Sequence, residues 1–249
     1  MIVDILIIQI IMTVGTQILI KFKKQIKFRH ELKHRINNLD RYDISSRLKK
    51  IFPLDINSNS HGYYRVSSLY FDTPYDKALR EKVDGINKRE KFRIRYYEDN
   101  LNFFKLEKKI KVNGLCGKIS AKLNKQQVIN ILNNDIDFLL KEDHPLLIEF
   151  YTKLKFQQLQ PKTVVVYDRE AYIYNVANVR ITLDSNIRTS TNVDTFLKPN
   201  SASINLSNNI TVLEVKYDNF IPEIVSMATK IKNRQASAFS KYALCRTID

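Results

Sequence analysis

In the stretch Lys91-Phe92-Arg93-Ile94-Arg95-Tyr96-Tyr97, Arg93 and Arg95 alternate with Phe92, Ile94 and Tyr96. Successive side chains on a β-strand point to opposite faces, so this segment has one cationic face and one apolar face. The pattern recurs along the chain. Arg29, Glu31 and Lys33 alternate with Phe28, His30 and Leu32. Lys105, Glu107 and Lys109 follow, then Tyr167 and Arg169, then Arg180, Thr182 and Asp184, and finally Glu214 and Lys216. If such strands curl into one antiparallel barrel with the charged faces inward, they enclose a cationic tunnel holding a few carboxylates. That lumen suits a chain of phosphates and the divalent metal that accompanies it.

The composition agrees with an anionic ligand. With 249 residues the chain fits one large domain with a sizeable core, and its hydrophobic content of 44% is ordinary for a globular protein. Its formal charge of +15 is not ordinary. An excess this large points to nucleic acid, an acidic membrane surface or phosphorylated ligands. Coding bias toward Lys, Asn and Ile accounts for part of it, but not for Arg residues that fall on alternating faces. A nucleic-acid binder would expose aromatic rings beside its basic patches for stacking. Here Phe92 and Tyr96 fall on the face opposite Arg93 and Arg95, so nucleic acid is not the expected partner.

Cys116 and Cys245 lie far apart and form no CxxC or Cys/His spacing. That argues against a disulfide framework and against structural zinc, and a reducing compartment is the default. None of the five Gly forms a GxxxxGK[ST] or GxGxxG loop. Phosphates would therefore be held by side-chain cations, and the planar fork of Arg meets phosphate oxygens bidentately.

Residues 1–20 are almost wholly apolar and are followed by Lys21, Lys23, Lys24 and Lys27. Two readings are open. A membrane anchor with this charge order would leave the rest of the chain in the cytoplasm, attached to the membrane face. Alternatively, the leader is dispensable or an over-extended start. Residues 21–249 read as one α+β domain: a closed or nearly closed antiparallel barrel with helices packed outside. Strands are expected near 26–34, 63–71, 89–98, 102–111, 162–175, 178–186 and 210–218. Helices are expected over 38–51, 75–83, 124–133 and 145–157, with a last one from Pro222 to about Asn233. In the first helix, Leu39, Ile44, Leu48 and Ile51 are spaced for one buried face. Asp84-Gly85 and Asn113-Gly114 signal turns, and His144 before its Pro reads as a loop residue.

Arg93 and Arg95 would stand about 7 Å apart at roughly 3.3 Å rise per residue, which is of the order of the spacing of phosphoryl groups in an extended chain. Glu31 and Glu214 each sit two residues before a Lys. A carboxylate among cations either balances charge or holds a divalent metal that bridges phosphate oxygens.

A series of short motifs then carries a family resemblance. They are Arg29-His30-Glu31-Leu32-Lys33, Ser68-Leu69-Tyr70-Phe71-Asp72-Thr73, Lys91 to Tyr97 and Leu106-Glu107-Lys108-Lys109. Tyr167-Asp168-Arg169-Glu170-Ala171-Tyr172, Val179-Arg180-Ile181-Thr182-Leu183-Asp184, Leu213-Glu214-Val215-Lys216-Tyr217 and Ser240-Lys241-Tyr242 complete it. In this order, over about 26–246, they resemble the VTC domain, the catalytic domain of vacuolar transporter chaperone polyphosphate polymerases among the triphosphate tunnel metalloenzymes. The resemblance implies transfer of the ATP γ-phosphate onto inorganic polyphosphate with Mn²⁺ or Mg²⁺. It implies that Lys33, Arg93, Arg95, Lys109, Arg169 and Lys241 act on the reacting phosphates. Lys118, Tyr167, Arg180, Lys216 and Ser240 would hold the substrate, and Glu214 with Glu31 the metal. The wider superfamily places ExExK on its first strand, whereas Arg29 stands here at the first acidic position. A non-catalytic phosphate-binding module, or a triphosphatase of the same fold, remains the alternative.

Overall fold

The structure is a computed structural model and describes residues 26–201, 203–206, 210–231 and 238–247. The apolar leader 1–20 lies outside the described residues.

Among those residues the chain order is β1 (His30–Ile36), α1 (Asn38–Ile51), β2 (Tyr64–Asp72), α2 (Lys77–Val83), β3 (Arg89–Tyr97), β4 (Phe104–Val112) and β5 (Leu115–Leu123). Then come α3 (Lys125–Leu132), α4 (Pro145–Phe156), β6 (Gln160–Tyr174), β7 (Val179–Ser190), β8 (Ile204–Asn205), β9 (Thr211–Tyr217), α5 (Glu223–Thr229) and α6 (Lys241–Cys245). Eight strands form one antiparallel sheet in the order β1-β9-β7-β6-β2-β3-β4-β5, and the short β8 pairs with β7.

The sheet curls until its two edges meet. Arg29, just before β1, bridges Cys116 of β5, with backbone bonds of 3.0 Å and 2.9 Å in the two directions. Gly117 makes this approach possible. A Cβ there would stand 2.6 Å from Ile26 Cγ2 and 3.1 Å from Phe28 Cε1, so only a residue without a side chain lets the lead-in to β1 lie across β5.

Alternation along the strands sorts the side chains as the sequence suggests. Outward-facing Leu69, Phe71, Phe92, Ile94, Tyr96, Phe104 and Leu106 pack against Val128 and Ile131 of α3 and Leu147 and Phe150 of α4. On the other flank Ile181, Leu183, Leu213 and Val215 pack against Ile44 and Leu48 of α1 and Val225 and Ala228 of α5. A third cluster joins the inward-facing Val66, Tyr70, Val165, Tyr167, Ala171 and Val212 to Tyr242 and Cys245 of α6.

Several expectations are corrected. The first strand begins at His30, because the backbone of Arg29 bridges Cys116 of β5 rather than pairing with β9. Leu39 and Ile51 of α1 are exposed, and the buried stripe is Ile44, Ser45 and Leu48. The helix itself is set by a capping box, with Asn37 Oδ1 accepting from Asp40 N at 2.8 Å and Asp40 Oδ2 from Asn37 N at 3.3 Å. The helix after Pro222 ends at Thr229. His144 is a loop residue as expected, and its Nδ1 also caps α4 by accepting from Leu146 N at 3.1 Å. Not every helix lies outside the sheet, since α6 packs on the inner cluster and α2 packs on α6.

Candidate functional site: a cationic tunnel

The inward faces surround a cavity of about 1090 Å³. Among the described residues its wall carries sixteen Lys and Arg against the four carboxylates of Glu31, Asp55, Glu98 and Glu214, so the field inside favours anions. All thirteen residues singled out from the sequence line it: Glu31, Lys33, Arg93, Arg95, Lys109, Lys118, Tyr167, Arg169, Arg180, Glu214, Lys216, Ser240 and Lys241. They come from β1, β3, β4, β5, β6, β7, β9 and α6.

Each group of cations is set by a carboxylate. Glu31 and Glu214 sit on neighbouring β1 and β9, where Lys33 opposes Glu214 and Glu31 opposes Lys216. Glu31 accepts from Lys33 at 2.9 Å and from Lys109 at 2.8 Å and 2.9 Å. Glu214 lies 2.6 Å from Lys216 and 3.7 Å from Lys33. Burial and the neighbouring Glu214 push the Glu31 carboxyl up, but Lys109, Lys33 and Lys216 outweigh them and hold it at about 2. Burial likewise opposes ionisation of Glu214, and Lys216, Lys33, Lys109 and Lys241 hold it well below the usual carboxylate range. In return, Glu214 and Glu31 overcome burial and raise the Lys33 ammonium. Both carboxylates are therefore ionised at neutral pH.

On the opposite wall, Glu107 of β4 is buried beneath three cations. It accepts from Arg93 Nε at 2.8 Å and from Lys118 at 2.9 Å, and lies 3.7 Å from Arg95 Nη1. Burial alone would raise its carboxyl; Arg93, Arg95 and Lys118 bring it well below the usual range. Hydroxyls hold the remaining guanidinium nitrogens: Arg93 Nη1 donates to Tyr70 at 2.9 Å, Arg95 Nε to Ser68 at 3.0 Å and Arg95 Nη2 to Tyr167 at 2.9 Å.

Asp184 plays the same part for a third group. Arg169 meets it bidentately at 2.6 Å and 2.7 Å, and Lys241 lies 2.5 Å away. Burial raises the Asp184 carboxyl, yet Arg169 and Lys241 hold it at about 2. Arg180 donates to Asp55 and, at 2.9 Å, to Tyr64. Asp55 is itself fixed by Asn57 through N at 3.0 Å and Nδ2 at 2.7 Å.

Asp55, Asp184 and Lys91 were not singled out in the sequence. Asp55 lies in a loop, with no periodicity to flag it. Asp184 and Glu107 appear in the alternating pattern, but nothing in the sequence shows that they underlie Arg and Lys. Lys91 also lines the cavity, and its spacing two residues before Arg93 was a usable signal. Arg29, the departure from the acidic first-strand pattern, lines the cavity and donates from Nε to Asp218 at 2.9 Å.

The family model for the VTC domain matches residues 28–248. The chain belongs to the VTC domain family. This VTC domain has the antiparallel tunnel architecture described above. Two solved structures are similar in backbone path. One is a Bacillus halodurans protein provisionally labelled an adenylate cyclase, at 12% identity, covering 82% of this chain and 86% of that one with a TM-score of 0.49. The other is the PH1819 protein of Pyrococcus horikoshii OT3, at 13% identity, covering 88% of this chain and 100% of that one with a TM-score of 0.44. No curated protein matches the VTC domain described here.

Among the described residues there is no group of three or more His, Cys, Asp and Glu that could hold a metal by itself. Mg²⁺ and Mn²⁺ bound with phosphates need only one or two protein carboxylates, the phosphates and water supplying the rest. Ionised Glu214 and Glu31 on adjacent strands fit that requirement. Among the described residues no helix is long and apolar enough to cross a membrane.

Proposed function

We propose that this VTC domain is a polyphosphate polymerase that transfers the γ-phosphoryl group of ATP to the end of a growing inorganic polyphosphate chain. The observation that supports this reading best is the convergence of sixteen cations from seven strands, the lead-in to β1 and two helices on one lumen. A compact anion would need only one such group; a chain of phosphates uses them all.

In the proposed reaction the bond from the γ-phosphorus to the ADP β-phosphate oxygen breaks, and a bond to a terminal oxygen of polyphosphate forms. No protein nucleophile is required. Arg93, Arg95, Lys109, Arg169, Lys33 and Lys241 align donor and acceptor phosphates and balance charge on the transferring group. Lys118, Lys216 and Arg180 hold neighbouring phosphoryl groups, with the hydroxyls of Tyr167 and Ser240 as neutral donors. Glu214, assisted by Glu31, would hold Mg²⁺ or Mn²⁺. When bound, the ion neutralises phosphate oxygens. Lys33, Lys109 and Lys216 now occupy these carboxylates and would turn to the phosphates as they enter.

The test is incubation of the purified full chain with ATP and Mn²⁺ or Mg²⁺, followed by chromatography of nucleotides and gel analysis of phosphate chains. The reading predicts ADP together with chains of polyphosphate. ADP with orthophosphate alone would make the protein a triphosphatase, and polyphosphate binding without any ADP would make it a binding module.

A further inference from the structure

Lys91 is one of the lumen cations that the polymerase reading leaves without a role. It sits on β3, two residues from Arg93, opposite Lys109 of β4, and is half-buried in the tunnel wall. Its ammonium lies 3.2 Å from Ser240 Oγ and 5.2 Å from the centre of the Tyr242 ring. Apart from Ser240 and Tyr242, the charged groups that act on it are cationic: Arg89 from its own strand, Lys109 from β4, Lys33 from β1 and Lys82 from α2, with Arg93 and Lys241 lining the same cavity. The carboxylates of this region are engaged elsewhere. Glu31 is held by Lys33 and Lys109, Glu107 by Arg93 and Lys118, and Asp72 by the Tyr242 hydroxyl at 2.7 Å.

We propose that Lys91 and Ser240 form a further phosphoryl-binding position in the tunnel, and that Lys91 takes up a proton as the phosphate chain reaches it. The inference rests on the reading of the tunnel as a phosphate-chain site. Its physical basis is the geometry. An ammonium ringed by cations and half removed from water is poorly tolerated while the lumen holds no anion, and an arriving phosphoryl group supplies the missing counter-charge. Burial, then Lys109, Arg89, Lys33 and Lys82, push the Lys91 ammonium down to about 7, so a sizeable fraction is neutral at physiological pH. A neutral amine can still bond to Ser240, with either partner donating. Protonation then gives an ammonium and a serine hydroxyl, both able to donate to phosphate oxygens. Lys33 differs, because Glu214 and Glu31 overcome burial and raise its ammonium.

The linkage has a definite sign. Above about pH 7 in the free protein, binding must draw a proton from solution, so affinity conferred by Lys91 weakens as pH rises. The test is calorimetric titration of the full chain with inorganic tripolyphosphate, metal chelated, in buffers of different ionisation enthalpy. It compares the unaltered protein with Lys91→Arg, which keeps the charge and cannot lose it. At pH 8 the unaltered protein should take up close to one proton more than Lys91→Arg, and about half a proton more at pH 7. The protonation of tripolyphosphate itself is common to both and cancels. Equal proton uptake in the two proteins overturns the inference while leaving the tunnel reading intact. Failure of the unaltered protein to bind tripolyphosphate at all would instead overturn the tunnel reading. Should Lys91→Arg not fold, titration of the lysine ¹³Cε signals in the unaltered protein decides the matter. One lysine should titrate near neutrality in the free protein and move up by about two pH units or more with tripolyphosphate bound. No lysine titrating below about pH 9 in the free protein would refute it.

Discussion

Arg93 and Glu107 oppose each other across β3 and β4, and Arg93 places Nε at 2.8 Å and Nη2 at 2.7 Å from the same carboxylate oxygen, Oε2. The other oxygen, Oε1, takes Lys118 at 2.9 Å. One buried carboxylate thus fixes cations on two strands at the lumen surface. Removing it leaves them buried together without a counter-charge, and breaking a buried pair costs about 3–5 kcal/mol. Glu107→Gln should lower stability to denaturant by about 3 kcal/mol, and saturating tripolyphosphate should recover part of the loss by replacing the counter-charge. A loss below about 0.5 kcal/mol would show that the carboxylate does not organise the wall.

The acidic groups set the behaviour in acid. Glu31 and Asp184 are both held at about 2, and Glu107 and Glu214 well below the usual range. A carboxyl depressed on folding contributes stability that is complete above its unfolded value, about 4, and is lost as pH falls toward the folded value. Lys91 adds no slope there, because it is protonated in both states below about pH 6. The melting temperature should therefore hold from pH 7 to about pH 5 and fall steeply between about pH 4 and pH 2. A flat profile down to pH 2 would contradict the coupling of these carboxylates to the fold.

Glu214→Gln and Arg93→Ala should differ in kind. The first keeps the size of the side chain but removes a charge expected to hold the metal. Metal-dependent turnover should drop by about 100-fold or more, while tripolyphosphate affinity without metal holds or rises. The second removes a phosphate-binding cation and should weaken chain binding with or without metal. Measuring ATP turnover and tripolyphosphate affinity across a metal titration separates them. Unchanged metal-dependent turnover in Glu214→Gln would leave Glu214 as an ion-pair partner of Lys33 and Lys216 only.

Closure of the sheet rests on Gly117. Gly117→Val should disturb the Ile26 and Phe28 lead-in and cost about 1–3 kcal/mol through overpacking. A chain that begins at Lys21, by contrast, retains Ile26 and should fold and bind tripolyphosphate as the full chain does. Loss of several kcal/mol on removing residues 1–20 would show that the leader packs on the sheet.

Much of this molecule was legible in one dimension. The period of two placed Arg93, Arg95, Lys109, Arg169, Arg180 and Glu214 on inward faces; Arg93, Arg95, Arg180 and Glu214 alternate with apolar residues of the outer clusters, whereas Lys109 and Arg169 have charged neighbours. The helix expected over 38–51 coincides with α1, although two of the four apolar residues used to place it, Leu39 and Ile51, are exposed. What escaped has physical reasons. β5 was not anticipated, although the Asn113-Gly114 turn before it was. Its sequence carries Gly117, Lys118, Ser120 and Lys122, too polar for a strand signal, and it is held by pairing with β4 and by the Arg29 bridge. Helix α6 is only five residues long, and its place inside the sheet is set by Tyr242 and Cys245 meeting residues distant in sequence. The carboxylates beneath the cations escaped because an ion pair between strands is a property of register, which no local pattern encodes.

The most direct measurement of the central claim is an experimental structure of the full chain with tripolyphosphate bound. The account predicts a phosphate chain along the cavity, with Arg93, Arg95, Arg169 and Lys241 within hydrogen-bond distance of its oxygens. Tripolyphosphate bound on the outer surface, with those four side chains still turned to Glu107, Tyr70, Ser68, Tyr167 and Asp184, would contradict it.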